Sequence, residues 1–229
     1  TAAGKTAAAM ALQDLLGGPD KAQLISADSA LVYRGMDIGT AKPSASELQQ
    51  YPHQLIDIRD PSEPYSAADF VRDADAVIQA ALQQGKTPII VGGTMLYVQR
   101  FVRGIAELPS ADPALREHLQ QQLQQHGALA MHQRLVQFDA AAAAKIHPNN
   151  HQRLLRALEV IEATGKSMSS QWQNANSGGA EQRLPIKLVT AAVVPEQREV
   201  LHAQIATRFD AMLRSCLLYT SDAADEWLR

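Results

Sequence analysis

The chain begins Thr1-Ala2-Ala3-Gly4-Lys5-Thr6, and this stretch decides the expected fold. It matches the second half of the phosphate-binding loop G-x-x-x-x-G-K-[ST]. Gly4 lets the backbone approach a phosphate closely, and the backbone N–H groups that open the following helix favour an anion. Lys5 would reach the outer phosphate oxygens, and the Thr6 hydroxyl would ligate Mg²⁺. The same triplet also arises by chance, so these six residues alone leave both interpretations open.

Both ends of the chain depart from a complete pattern. The first glycine of the loop motif would lie two positions before Thr1, preceded by the strand that feeds the loop. At the other end, Ser215–Arg229 (SCLLYTSDAADEWLR) continues no pattern and resembles the translation of a sequencing adaptor. We therefore expect a fragment of a longer protein, with a non-native tail over residues 214–229.

Composition indicates a globular protein without a membrane span. The 229 residues are 46% hydrophobic and 20% charged, which is enough for one sizeable α/β domain carrying an insertion. The net charge of −3 gives no bulk sign of a nucleic-acid partner, so such contacts would need local basic patches. Cys216 is the only cysteine, which excludes a disulfide framework and fits a reducing, cytoplasmic setting. No apolar run approaches the roughly 20 residues that cross a bilayer.

Strand and helix patterns alternate through the first half of the chain. Short apolar runs predict strands at 22–27, 53–58 and 87–91, and helical spacing predicts helices at 5–16, 66–84 and 94–102. The second helix begins with a capping box formed by Ser66 and Asp69. The residues expected to face inward are Ala9, Leu12, Leu15 and Leu16 in the first helix and Phe70, Ala74, Val77, Ile78 and Ala81 in the second. This alternation predicts a parallel sheet flanked by helices.

The second half changes character. Residues 106–180 are rich in Gln and Ala, helical in period and without a convincing strand, so we expect a helical insertion there. Within it, Asp112-Pro113 starts one helix, and another runs from about His151 to Ala163 and ends at Gly165. Strand character returns at 184–194, followed by a helix over 196–213 with Leu201, Ile205, Phe209 and Met212 on one face. The α/β core would thus comprise residues 1–105 and 181–213.

Two polar residues stand at the carboxyl ends of predicted strands, where ligands bind in parallel sheets. Asp28 would either help to hold Mg²⁺ or act as a general base, and a simpler interpretation is that it caps a turn. Thr94 would cap the helix that follows it, although the preceding Gly92-Gly93 pair favours close approach by a ligand.

The insertion offers two further candidates. His147 and His151 have a metal-ligand spacing, but Pro148 interrupts the helix between them and a solvated helix start is the better interpretation. Arg153 and Arg156 lie opposite the apolar face of their helix, which suits either a plain solvated face or the phosphate backbone of a nucleic acid.

Several blocks match one known family in order and spacing, from Thr1 to about Leu213. They are Thr1–Thr6 (TAAGKT), Ile25–Pro43 (ISADSALVYRGMDIGTAKP), His53–Phe70 (HQLIDIRDPSEPYSAADF), Pro88–Tyr97 (PIIVGGTMLY), Ala111–Glu117 (ADPALRE) and Ala143–Val160 (AAKIHPNNHQRLLRALEV). Together they resemble the bacterial tRNA dimethylallyltransferases. The match is specific because YRGMDIGTAKP and IHPN-x-x-[QR]-R are not general features of phosphate loops. His151 stands where the family more often has Asp or Glu.

The resemblance implies a nucleoside-triphosphatase-like fold with a helical insertion. It also implies transfer of a dimethylallyl group from dimethylallyl diphosphate to the N6 amine of the adenosine 3′ of the anticodon. Thr1 to Thr6 would cradle the diphosphate, with Mg²⁺ at Thr6, and Asp28 and Thr94 would be catalytic. The partner would be the tRNA anticodon stem-loop, bound by a monomer. Its contacts would come from Asp28, Ser29, Ala30, Leu31, Thr94, Arg116, Gln152, Arg153, Leu154, Leu155 and Arg156.

Two other functions remain open from the residues alone. A small-molecule kinase would use the same loop on ATP and Asp28 on a substrate hydroxyl. A nucleotide-dependent switch would bind and release a nucleotide with no group transfer. Dependence on ATP separates both from a prenyl transfer, which needs none.

Overall fold

The computed structural model describes residues 2–105, 112–175 and 178–215, so Thr1, Cys216 and nearly all of the predicted tail lie outside the described residues. The chain divides into two compact units. The first unit holds Thr1–Phe101 and Leu184–Arg229, and the second holds Val102–Arg183. In chain order the elements are α1 (Lys5–Leu15), β1 (Ala22–Ala27), α2 (Ala45–Gln50), β2 (His53–Gln54), α3 (Ala67–Gln83), β3 (Thr87–Gly92), α4 (Met95–Arg103), α5 (Pro113–Phe138), α6 (Ala140–Ala143), α7 (His151–Thr164), α8 (Met168–Ala175), α9 (Ala180–Arg183) and α10 (Arg198–Arg214).

The first unit is built on a parallel sheet of order β2-β1-β3. Its central strand β1 was predicted to the residue, and Leu24, Ile25 and Ala27 are fully buried in it. β3 pairs with β1 along its whole length, so that Ala27 stands opposite Gly92. A Cβ on Gly92 would lie 2.1 Å from the Ala27 carbonyl oxygen, which explains why a glycine ends this strand. A side chain at this position would therefore clash with the end of β1.

Helix α3 follows its sequence signals. The Ser66 hydroxyl accepts a hydrogen bond from the Asp69 N–H, and the Asp69 carboxylate accepts one from the Ser66 N–H, as the capping box predicts. Its predicted stripe is buried except for the half-buried Val77, and Phe70 stacks on Tyr97 of α4 at 4.7 Å between ring centroids. Burial raises the pKa of Tyr97 to about 12, so this phenol stays neutral and donates to the Tyr65 carbonyl.

Helix α1 buries Ala9, as predicted, but not the leucines of its predicted inward face. Ala9 and Gln13 are its buried residues, whereas Leu15 is 85% exposed and Leu12 and Leu16 are also exposed. Gln13 lies on the buried side because its amide donates a 2.8 Å hydrogen bond to the Ala22 carbonyl. The polar side chain thus ties the helix to the start of β1, and the leucine face prediction was wrong.

Two strand predictions were also wrong or too long. The run 53–58 is a strand only at His53–Gln54, because Leu55 (φ 64°) and Asp57 (φ 56°) turn the backbone into the left-handed region. The segment 184–194 forms no strand among the described residues, and Val189 and Val194 are 88% and 77% exposed. A strand needs a neighbour for its backbone hydrogen bonds, and no described strand pairs with this segment.

The second unit consists of helices joined by short turns, with no strand among its described residues. Asp112 caps α5 and Pro113 takes its first position, as predicted, and a kink at Gly127 (φ 78°) divides this long helix. α7 runs from the Asn150 cap to Gly165, whose φ of 67° ends the helix. The core of the unit is a cluster of apolar side chains that includes Leu119, Met131, Leu135, Ile146, Leu154, Leu155, Leu158, Val160 and Met168.

Candidate active site

A 1020 Å³ cavity lies in the first unit at the carboxyl ends of β1 and β3. Its walls come from sequence-distant segments, which is typical of a ligand site in a parallel sheet. The lining includes the phosphate loop and the start of α1 (Ala2–Ala7), the turn after β1 (Asp28–Leu31), the segment Asp37–Pro43, the end of β3 (Val91–Thr94) and one face of α10. The predicted site residues of the first unit that the structure describes all line this cavity.

The phosphate loop has the backbone expected of an anion site. Gly4 caps α1 with a left-handed φ of 78°, and its carbonyl accepts the first helical hydrogen bond from the Ala8 N–H at 3.0 Å. The free N–H groups of the first turn therefore open into the cavity, where a negative charge is favoured. A Cβ on Gly93 would lie 3.6 Å from Lys5 Nζ, which places this ammonium beside the end of β3. The Thr6 side chain is exposed at the same helix start.

Asp28 caps a turn and also lines the cavity. Its Oδ1 accepts hydrogen bonds from the Ala30 N–H at 2.9 Å and the Leu31 N–H at 3.4 Å, so it caps the turn after β1. The same carboxylate lines the cavity, and no donor among the described residues bonds its Oδ2. The turn thus fixes one oxygen and leaves the other for a ligand.

Thr94 links the ends of the two strands. Its hydroxyl accepts a hydrogen bond from the Ser29 N–H at 2.9 Å and donates one to the Ser29 hydroxyl at 3.2 Å. Its backbone N–H donates to the Ala27 carbonyl, and its carbonyl accepts the first helical bonds of α4. The side chain therefore stabilises the turn that carries Asp28, while only the backbone of Thr94 starts the helix.

Sequence reasoning missed Arg208. The predicted inward face of α10 is not a core face, because no residue of this helix is buried; Ile205, Phe209 and Met212 line the cavity instead. Arg208 lies beside them, and its buried Nε has no hydrogen-bond partner among the described residues. An arginine next to an apolar face was the only signal available, and it is too common to identify a site.

The second unit places its candidate residues at different depths. Gln152 and Arg153 are exposed at the start of α7, whereas Leu154 and Leu155 are buried in the core and offer no side chain to a partner. Arg116 and Arg156 both pair with the buried Glu159, at 3.0 Å and 3.2 Å. Of the candidate residues 152–156, fewer are exposed to a partner than the sequence suggested, and Arg153 is the exposed cation among them.

Oxygen ligands for a metal ion are present in the cavity. No cluster of three or more His, Cys, Asp and Glu side chains that could hold a metal occurs within the described ranges, and this includes His147 and His151. The Thr6 hydroxyl and the Asp28 carboxylate line one cavity, and oxygen atoms are what Mg²⁺ prefers. Because Mg²⁺ usually keeps several waters and shares substrate phosphates, this sparse set fits it. In the described part of the chain, no helix has the length and apolar character of a membrane span.

A parallel sheet whose phosphate loop opens the first helix, with a carboxylate at the next strand end, defines a P-loop NTPase-like protein with a helical insertion, as predicted. The chain belongs to the IPP transferase family, whose model matches residues 31–220. A tRNA dimethylallyltransferase of Chromohalobacter salexigens is 54% identical over 213 residues, which is 93% of this chain and 66% of that protein. The chain thus spans slightly less than two thirds of this relative.

Solved structures agree with the family. The tRNA isopentenylpyrophosphate transferase of Bacillus halodurans is 37% identical with a TM-score of 0.59, and the match covers 99% of this chain and 67% of that one. A eukaryotic dimethylallyltransferase, captured acting on tRNA, is 25% identical with a TM-score of 0.79, over 99% of this chain and 54% of that one.

Proposed function

We propose that the protein transfers a dimethylallyl group from dimethylallyl diphosphate to the N6 amine of the adenosine just 3′ of the anticodon in tRNA. One observation carries the proposal: a single cavity joins an anion site, a carboxylate and an apolar wall. An allylic diphosphate has a charged head and an apolar tail, and the cavity offers a matching surface to each. The names of the family relatives describe the same chemistry.

The diphosphate would bind at the start of α1. The free N–H groups there, Lys5 and Arg208 supply positive potential, and a phosphate loop recognises phosphates rather than a purine. Mg²⁺ held by Thr6 and the diphosphate oxygens, with Asp28 near, would supply further stabilisation of the leaving charge. Ile205, Phe209 and Met212 would contact the apolar tail.

The chemical step exchanges one bond for another. The adenine N6 attacks the allylic C1, the C1–O bond to the diphosphate breaks, and the diphosphate leaves with the electron pair. An adenine amine is a weak nucleophile, because its lone pair is delocalised into the ring. Asp28 would accept the N6 proton through Oδ2 as the C–N bond forms, while its bonded Oδ1 keeps the carboxylate oriented. Thr94 would act by holding the Ser29 turn that carries Asp28.

The tRNA would be bound by both units. The target base has to leave the anticodon stack to reach a cavity, as in other enzymes that modify bases. In the helical insertion, residues 106–180, the exposed Gln152 and Arg153 would contact the phosphate backbone, with Arg116 and Arg156 held by Glu159. We propose that the protein acts as a cytoplasmic monomer.

Asp28→Asn tests the catalytic assignment. The amide oxygen of Asn preserves the turn-capping bonds to Ala30 and Leu31 but cannot take up a proton. We expect the transfer rate of the full-length protein to fall about 100-fold or more, with tRNA affinity unchanged within a few-fold. Transfer by Asp28→Asn at nearly the wild-type rate would show that Asp28 is not the base.

Arg153→Gln tests the tRNA contact. Loss of one phosphate contact reduces the slope of log affinity against log salt by about one. Lys166→Gln is the matched control, because Lys166 is an exposed cation just beyond the opposite end of α7. Equal salt slopes for wild type and Arg153→Gln would show that Arg153 is only a solvent-exposed side chain with no contact to a tRNA phosphate.

A further inference from the structure

Lys42 lies next to the last residue of the segment Tyr33–Pro43, and its side chain is almost fully enclosed. Its side chain is 5% exposed, although the segment itself is irregular and mostly on the surface. The ammonium donates to the Tyr33 carbonyl at 2.9 Å, to Asp37 Oδ1 at 2.7 Å and to Asp57 Oδ1 at 2.5 Å. All three N–H groups are thereby used. Burial lowers the pKa of Lys42, but the bonds to both carboxylates outweigh it, so the pKa ends above 10.5 and the charge is retained.

These bonds determine the shape of one cavity wall. The bond from Lys42 to Asp37 closes the chain between them into a compact loop, and the bond to Asp57 ties that loop to the turn after β2. Asp37, Lys42 and the four residues between them all line the cavity that holds the phosphate loop. The backbone bends into the left-handed region at Ala41 (φ 58°) and at Asp57 (φ 56°). The Lys42 ammonium joins these two bends, and its removal would separate them.

Lys42 also sets the charge of this wall. One ammonium faces two carboxylates, so the cluster carries a net charge of about −1, and Asp37 remains 66% exposed where it lines the cavity. Removal of the ammonium would leave both carboxylates unpaired, and one of them, Asp37, lies on the wall of the cavity proposed to receive an anion. Repulsion between Asp37 and a bound diphosphate would then oppose binding.

We propose that Lys42 is a positioning residue for the diphosphate donor, which holds the 37–43 wall in place and neutralises Asp37 there. The proposal rests on the proposed function, since it assumes that an allylic diphosphate is the ligand. Lys42 itself does not reach the reacting atoms, because all three of its N–H groups are bonded to the protein.

The test compares three variants of the full-length protein at low ionic strength. They are Lys42→Met, Lys42→Arg and the double variant that combines Lys42→Met with Asp37→Asn. At an effective dielectric constant of about 20, repulsion from one uncompensated charge on the cavity wall weakens diphosphate binding roughly tenfold. We therefore expect Lys42→Met to raise the KM for dimethylallyl diphosphate about tenfold, with the KM for tRNA within about twofold. The added Asp37→Asn should recover at least about threefold of the loss, because it removes the uncompensated charge but does not restore the bonds that hold the loop.

Calorimetry with inorganic diphosphate and Mg²⁺ gives a readout that does not need transfer. Its Kd should rise with Lys42→Met in parallel with KM. Folded Lys42→Met with an unchanged Kd, or no recovery in the double variant, would overturn the proposal. Should Lys42→Met fail to fold, the Lys42→Arg variant decides. The planar guanidinium of arginine cannot bond to the same three oxygens, so we expect its Kd for diphosphate to be at least about threefold higher than that of wild type. A wild-type Kd in Lys42→Arg would overturn the proposal. Wild type that binds diphosphate but transfers nothing would contradict the proposed function alone.

Discussion

Gly92 and Gly93 are adjacent, yet the structure predicts opposite responses to the same substitution. A Cβ on Gly92 would lie 2.1 Å from the Ala27 oxygen, 2.4 Å from its carbonyl carbon and 2.8 Å from its Cα, all of them backbone atoms. A Cβ on Gly93 would meet only the end of the Lys5 side chain, at an ordinary 3.6 Å. Neither glycine has a left-handed φ, so the difference comes from contact alone.

The magnitude follows from these distances. Ordinary contact begins near 3.4 Å, so Gly92→Ala requires the ends of β1 and β3 to separate by about 1 Å. Backbone in a central sheet cannot yield as a side chain does, and we expect a loss of about 3 kcal/mol in the free energy of unfolding. Gly93→Ala should stay within about 0.5 kcal/mol of wild type. Because Asp28 directly follows Ala27, a 1 Å displacement should also slow transfer about 100-fold in Gly92→Ala.

Urea unfolding monitored by circular dichroism measures the first effect, and the transfer rate under conditions where both variants are folded measures the second. Equal stabilities for Gly92→Ala and Gly93→Ala would refute the close strand approach. A stable Gly92→Ala with a normal transfer rate would refute the link between the strand end and Asp28.

Further predictions concern stability. Glu159→Ala should cost about 1–3 kcal/mol, because Arg116 and Arg156 lose their bonds to the buried carboxylate but are themselves partly exposed; urea unfolding that matches wild type would contradict this pairing. Gly4→Ala should lower the free energy of unfolding by about 1–2 kcal/mol from backbone strain alone, since a Cβ there meets no atom within 4 Å. An unchanged free energy of unfolding would show that the backbone at Gly4 is not left-handed. Burial holds the pKa of His53 below 6.5, so the unfolded chain binds the proton more readily and stability should fall as pH drops through 6.5. His53→Gln should lack that part of the fall, as thermal unfolding at several pH values would show; an unchanged pH profile would exclude His53 as its source.

Sequence signals predicted the elements that depend on neighbours along the chain. β1, the capping box of α3, the Asp112-Pro113 start of α5 and the Gly165 end of α7 all use residues within a few positions of each other. The same holds for the candidate site residues at strand ends, since Asp28 and Thr94 follow apolar runs that are visible in the sequence.

Features that depend on distant partners were not predictable in this way. Leu55 and Asp57 bend out of the strand pattern, and Asp57 is held by Lys42, which lies fifteen positions earlier. Gln13 lies on the buried side of α1, where its amide donates a hydrogen bond to the Ala22 carbonyl, and helical periodicity does not reveal this bond. Arg208 lines the same cavity as Lys5, which lies at the opposite end of the sequence. Pairings of this kind exist only once the sheet has brought the segments together.

The most direct measurement of the central claim follows labelled dimethylallyl diphosphate in a reaction with the full-length protein, tRNA and Mg²⁺, and no ATP. If the cavity binds an allylic diphosphate as donor, the label will appear on the adenosine next to the anticodon, and Asp28→Asn will slow its transfer about 100-fold or more. Absolute dependence on ATP, with phosphate rather than the allylic group transferred, would contradict the claim and identify a kinase instead.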